Sequence, residues 1–190
     1  MPKVENWKRY MANDNERVLV ALDEASTSTE ILDYMGKIIS GKPGLQLYLL
    51  HMLPPAPPQL REFRGAEDPV QERELDRDMD ARGQRWTEQN ERAARPLLDD
   101  ATAALRQAGV PADSIRCLVQ ELLNRQDLTG EILKVARKNA CQTIVVGRSC
   151  FPWFKEAFHH HVADKLVREA KGITVWVVER KSATRSKKTL

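Results

Sequence analysis

Three consecutive histidines, His159, His160 and His161, follow Cys150 within one short stretch of the 190-residue chain. Imidazole nitrogen and thiolate sulfur are the donors that zinc and copper select, so the group first reads as a metal centre. Helix geometry works against this, because successive residues on a helix point about 100° apart. At most two of the three imidazoles then converge on one ion without further ligands. A second chemistry is a redox thiol: a helix amino terminus lowers the pKa of a cysteine such as Cys150, and a histidine nearby can act as base. No third group that would orient that histidine is identifiable. A third is a pH-sensitive anion site, since imidazole N–H groups bind phosphate, and bind it better when protonated. The expectation is no metal site and no catalytic set, with metal or redox sensing through Cys150 and His159–His161 as an alternative.

The flanking pattern dictates where these residues sit. Thr143 to Val146 is an apolar run that halts at Gly147, and a polar, aromatic loop with Ser149 and Phe151 to Phe154 follows. A helical pattern runs from about His161 to Lys171, closed by Gly172, and a second apolar run spans Ile173 to Val178. Strand, loop, helix and strand make a parallel crossover unit, whose loop lies where such folds bind ligands.

Upstream, Arg17 to Asp23 (RVLVALD) and Leu45 to Leu53 (LQLYLLHML) are continuous apolar runs. Continuous hydrophobicity suits strands buried on both faces of a parallel sheet. Thr27 and Glu30 have capping-box spacing for a helix carrying Ile31, Met35 and Ile38, which Gly41, Pro43 and Gly44 stop. PPAPP after the second run opens an irregular excursion to about residue 70. A long helix is expected from Glu72 to Gln107, bent at Gly83, with Leu75, Met79, Trp86, Ala93, Leu97, Ala101, Ala104 and Leu105 on one stripe. Its charge-balanced first half reads as a solvated face. Ser114 to Gln120 is a third strand, and Asp127 caps a helix with Leu128, Ile132, Val135 and Ala136 on one face. Five alternations of strand and helix give one doubly wound α/β domain.

The strand ends nominate the site. Asp23 ends the first strand, Met52 and Leu53 the second, and Gly147 to Cys150 follow the fourth; the helix start near His160 to Val162 adds backbone N–H groups that favour a phosphate. Asp23 can accept hydrogen bonds from a base or ribose, or equally cap the helix after it.

Hydrophobic content of 42% and charged content of 30% are those of an ordinary soluble protein. No apolar run reaches the roughly 20 residues of a membrane span. The start, MPKVENWKRYMANDNE, lacks a secretory core. The odd set Cys117, Cys141 and Cys150 argues against disulfides and structural zinc, so a reduced, cytoplasmic protein is expected. Net charge is +3, and five basic residues with no acidic ones fall in residues 180–190, which leaves residues 1–179 at −2. That tail is read as a solvated terminus and not as a nucleic-acid or membrane contact, and residues 1–16 are left as an N-terminal arm.

Taken together, VLVALDEAS, YLLHMLPP, the Gln126-Asp127 helix start, TIVVGRS and ITVWVV resemble the universal stress protein family, in order from about Arg17 to Glu179. The resemblance implies an adenine nucleotide alpha hydrolase-like domain over 17–179 that includes the 54–95 excursion and long helix. It also implies a five-stranded parallel sheet of order 3-2-1-4-5 with helices on both faces. It further implies a homodimer pairing through the fifth strand, Ile173 to Val178, and a role in stress response or regulation, with an unknown protein partner. Nucleotide-binding members carry Gly, two residues, Gly, nine residues, then Gly-Ser or Gly-Thr. The matching positions here are Gly147, Cys150, His160 and His161, so the spacing is kept and three of the four signature residues are changed. Asp23 matches the family aspartate, followed here by Glu24-Ala25, and Met52, Val146 and Val162 match positions flanking the nucleotide. Glycines in a phosphate loop permit positive φ and close backbone approach. The replacements put side chains into that space, so weak or absent ATP binding and no cofactor are expected, with a divergent ATP or AMP switch as alternative.

Overall fold

Strand β1, Glu16–Leu22, sits at the centre of the sheet because Val18 to Leu22 offer water nothing polar but backbone. The computed structural model describes residues 16–23, 27–40, 42, 44–60, 69–123, 127–148 and 162–179. The remaining strands are β2 (Leu45–Leu53), β3 (Ile115–Glu121), β4 (Thr143–Gly147) and β5 (Thr174–Val178). They pair in the order β3-β2-β1-β4-β5, each neighbour parallel to the next. Every residue of β4 is buried, whereas the edge strands β3 and β5 are half-exposed. Burial on two faces explains why the inner strands are apolar throughout.

Direction reverses between β3 and β4, and right-handed crossovers then put the helices on opposite faces. Val20 pairs with Leu49 and Val145, and these pair with Cys117 and Trp176, so Cys117 and Trp176 lie on one face. Helix α1, Thr27–Ile39, meets that face through Tyr34, whose ring packs edge-on against Trp176 at 6.4 Å. Helix α2, Pro69–Gln107, meets it where Thr102 Oγ1 lies 3.5 Å from Cys117 Sγ. Gly36 of α1 permits the close approach of the two: a Cβ there would lie 2.6 Å from that of Ala108. Helices α3, Leu128–Lys138, and α4, Val162–Glu169, take the other face. Gly172, at φ +76°, turns the chain from α4 into β5.

Strand and helix limits differ from the sequence expectation by one to three residues; β3 starts at Ile115, β5 at Thr174 and α4 at Val162. Ends set by hydrogen bonding move this much against ends set by hydropathy. The long helix is the larger correction. It starts at Pro69, where a proline suits the first turn, and runs 39 residues through Pro96. Its buried residues are Ala94, Leu98, Ala101 and Leu105, while Ala93 and Ala104 are exposed and Leu97 is only half-buried. The expected stripe assumed one face along the whole length. Only the last part touches the sheet; there Ala101 and Leu105 of the expected stripe are buried, while Ala94 and Leu98 take the places expected of Ala93 and Leu97. The excursion stops where the helix starts, close to the expected residue 70, with a 3₁₀ turn at Pro58–Leu60, and 61–68 lie outside the described residues. Gly41, Pro43 and the side chains of Thr27 and Glu30 also lie outside them. Among the described residues no helix is long and apolar enough to cross a membrane.

Candidate functional site at the carboxyl ends of the strands

The residues at the strand ends gather by register. Asp23 follows β1 directly and is only 1% exposed. Leu22 pairs with His51, which sets Met52 one step beyond, on the face opposite Trp176. Val146 of β4 shares that face, because its neighbour Val145 pairs with Val20 and Trp176. Met52, Val146 and Val162, the first residue of α4, are all buried. Gly147 closes β4 opposite Val178. Asp23, Met52, Val146, Gly147 and Val162 therefore stand at one end of the sheet. Ser149, Cys150, His159, His160 and His161, with Phe151 to Phe154, lie outside the described residues, as do Glu24-Ala25 and Gln126.

The start of α3 is built by Asp127. Its carboxylate accepts the Gly130 N–H at 3.0 Å, which satisfies one of the helix's unpaired donors. A Cβ at position 130 would fall onto that carboxylate, so a larger residue there would shift the cap. The same Asp127 Oδ1 lies 3.2 Å from Lys165 Nζ of α4, and Lys165 also reaches Glu169 at 4.0 Å. Arg148, just past β4, pairs its Nε with Glu179 Oε2 at 3.2 Å, and its N–H donates to Val178 O. Two basic side chains at this rim thus each have a carboxylate partner. An incoming phosphate must displace a carboxylate to use either, although such exposed pairs are weak, worth about 1 kcal/mol at most.

Arg148 lies in the Gly147 to Cys150 run that the sequence nominates, but its ion pair, like Lys165, escapes a reading of the sequence. The Asp127–Lys165 contact spans 38 positions and carries no local spacing signal. Asp127 itself is legible, because a carboxylate before an apolar 3.6-residue period is a cap.

Cys141 stands at the other end of the sheet, just before β4. Burial pushes its thiol up to about 11, against a smaller lowering by the Arg17 guanidinium. It is a packed, protonated thiol, while Cys117 on β3 is exposed. Among the described residues no group of three or more His, Cys, Asp or Glu side chains is placed to hold a metal ion.

The fold and this strand-end geometry have relatives among solved structures. A universal stress protein family member from Burkholderia pseudomallei is 20% identical, with 88% of this chain and 98% of that chain covered and a TM-score of 0.52. A hypothetical protein whose biochemical function was assigned from its structure is 16% identical, with the same coverages and a TM-score of 0.59. A universal stress protein solved in complex with cAMP is 15% identical, again covering 88% and 98%, at a TM-score of 0.53. A search of curated proteins found no match to the chain. Identities this low speak for the fold alone. The sequence itself supplies the assignment, because the model of the universal stress protein family matches residues 14–179, nearly the whole chain and every strand of the sheet. By that match the chain belongs to the universal stress protein family.

Proposed function

We propose that this protein is a non-catalytic stress-response or regulatory module that acts as a homodimer and binds ATP weakly or not at all. The observation that carries the reading is the loop after Gly147. Of the four signature positions only Gly147 is kept, and Cys150, His160 and His161 stand where glycine, glycine and a small hydroxyl residue serve a phosphate. The ion pairs of Arg148 and Lys165 add to it by occupying cations at the rim. Isothermal titration calorimetry with ATP is expected to show no micromolar binding. The triple variant Cys150→Gly, His160→Gly, His161→Ser is expected to gain affinity, by roughly tenfold or more if three restored backbone contacts contribute about 0.5 kcal/mol each. Micromolar ATP binding by the unmodified protein would overturn the reading.

A second reading keeps a nucleotide in the pocket. The relative solved with cAMP makes adenine nucleotides the ligands to try, and Met52, Val146 and Val162 are apolar walls of the kind an adenine ring packs against. Titration with cAMP and AMP separates it from the first.

The dimer reading rests on β5. Thr174 N–H donates to Gln142 O and Val178 O accepts from Arg148 N–H, so Thr174, Trp176 and Val178 turn their backbone groups toward β4. In a parallel ladder Val175 and Val177 then turn theirs outward, which leaves an edge able to pair with a second copy. Light scattering is expected to give more than the monomer mass at micromolar concentration. Val177→Pro removes one outward N–H and leaves the β4 ladder intact, so it is expected to abolish this contact.

A further inference from the structure

Helix α2 is too long for the sheet it serves. Its 39 residues span about 58 Å, whereas the nine residues of β2 span about 30 Å. Burial along α2 begins only at Ala94, and none of residues 70–93 is buried among those described. This outer half nonetheless carries an apolar stripe. Leu75, Met79 and Trp86 lie within an arc of about 60°, which the charged Arg82 shares. Leu75 is 47% exposed, whereas Met79 and Trp86 are half-buried.

The flanks of the stripe say what covers it. On one flank Glu74 and Asp78 come first and Arg85 and Arg92 follow at seven-residue steps. On the other, Glu72 and Asp76 come first and the neutral Thr87 and Asn90 follow. In an antiparallel pair of identical helices each flank faces the same flank of its partner, reversed. Asp78 then meets Arg85, Glu74 and Arg92 meet the neutral Gln89 and Gln71, and the acids of the other flank meet neutral residues. In a parallel pair the opposite flanks meet at equal height, which sets acid against acid. On the flanks only the antiparallel direction sets acid against base; at the centre the two Arg82 side chains meet, each paired with Asp78 of its own helix.

We infer that the outer half of α2 is a homotypic interface, in which a second copy pairs antiparallel about a two-fold axis near Ala81 and Arg82. In that register Trp86 enters the gap between the partner's Leu75 and Met79, and Asp78 faces the partner's Arg85. The contact is separate from the β5 edge and stands or falls without it.

The test is sedimentation equilibrium on the full chain carrying Val177→Pro, so that any remaining association is that of α2. Dimers are expected. Trp86→Ser is expected to raise the dimer dissociation constant roughly tenfold or more, as for a central aromatic anchor. Asp78→Arg and Arg85→Asp are each expected to weaken it. The double variant is expected to restore it, because the swap recreates the opposed charges across the axis. Circular dichroism checks that helicity is kept, since Asp78 also pairs with Arg82 within its own helix at 2.6 Å. A monomer before any α2 change overturns the inference. So does a dimer indifferent to Trp86→Ser, as when another segment of the same chain covers the stripe, or a double variant no better than the singles.

Discussion

Cys141 carries its proton further up the pH scale than a free thiol does, and the fold's stability must respond. Burial raises it from 9.0 to about 11, because the thiolate has too few partners in the space behind β4 to replace water. The folded state therefore binds a proton that the unfolded chain releases between these values. This contribution is complete below pH 9.0 and is lost as pH rises toward 11. Urea denaturation from pH 8 upward is expected to show a steeper fall in the parent than in Cys141→Ala, and equal slopes would contradict the burial account. Peptide-mapped alkylation at neutral pH is expected to mark Cys117 and spare Cys141. This is also the scale on which the sequence was least readable at the site. Asp23, Met52 and Val146 could be placed because they end apolar runs, and Asp127 because it starts one. Lys165 could not, since its meeting with Asp127 depends on α3 and α4 lying side by side, which no local pattern encodes.

Two glycines within helices show how far packing overrides propensity at the level of elements. Gly83 of α2 has nothing within 4 Å of where a Cβ would stand, while a Cβ at Gly36 of α1 would stand 2.6 Å from that of Ala108. Gly83→Ala is expected to stabilise by about 1 kcal/mol, the ordinary helix preference for alanine. Gly36→Ala meets the same preference and an overpacked contact that costs about 1–3 kcal/mol, so a net loss is expected. Thermal denaturation of the two variants checks the opposite signs. The strands and their order were legible at this scale, the first from continuous apolar runs and the second from family resemblance. The face of α2 was not. A period of 3.6 drifts over 39 residues, so a stripe read through the exposed outer half misses Ala94 and Leu98, where burial begins, and meets the buried face again only at Ala101 and Leu105. Pro96, the residue between those two that withholds a hydrogen bond from Arg92, gave no signal of where burial would begin.

At the scale of the whole molecule, the β5 edge and the outer half of α2 offer two distinct two-fold contacts. Two isologous contacts on one chain build either a closed tetramer or an open row of dimers, and in both the unmodified protein exceeds the dimer mass. Their responses to salt differ in kind. The α2 contact sets Asp78 against Arg85 at an exposed surface, where the Debye length falls from about 30 Å at 0.01 M to 3 Å at 1 M. The β5 contact is made of backbone hydrogen bonds, which salt screens little. Raising ionic strength across that range is expected to weaken the α2 contact and shift the assembly toward dimers joined at β5, and a Trp86→Ser variant is expected to show the smaller change in mass with salt. In Val177→Pro the dimer dissociation constant is expected to rise with salt. The basic residues 180–190 are the other source of salt-sensitive attraction to the acidic flank of α2. A chain ending at Glu179 separates the two: association through paired α2 helices keeps its salt response, and docking of the tail loses it.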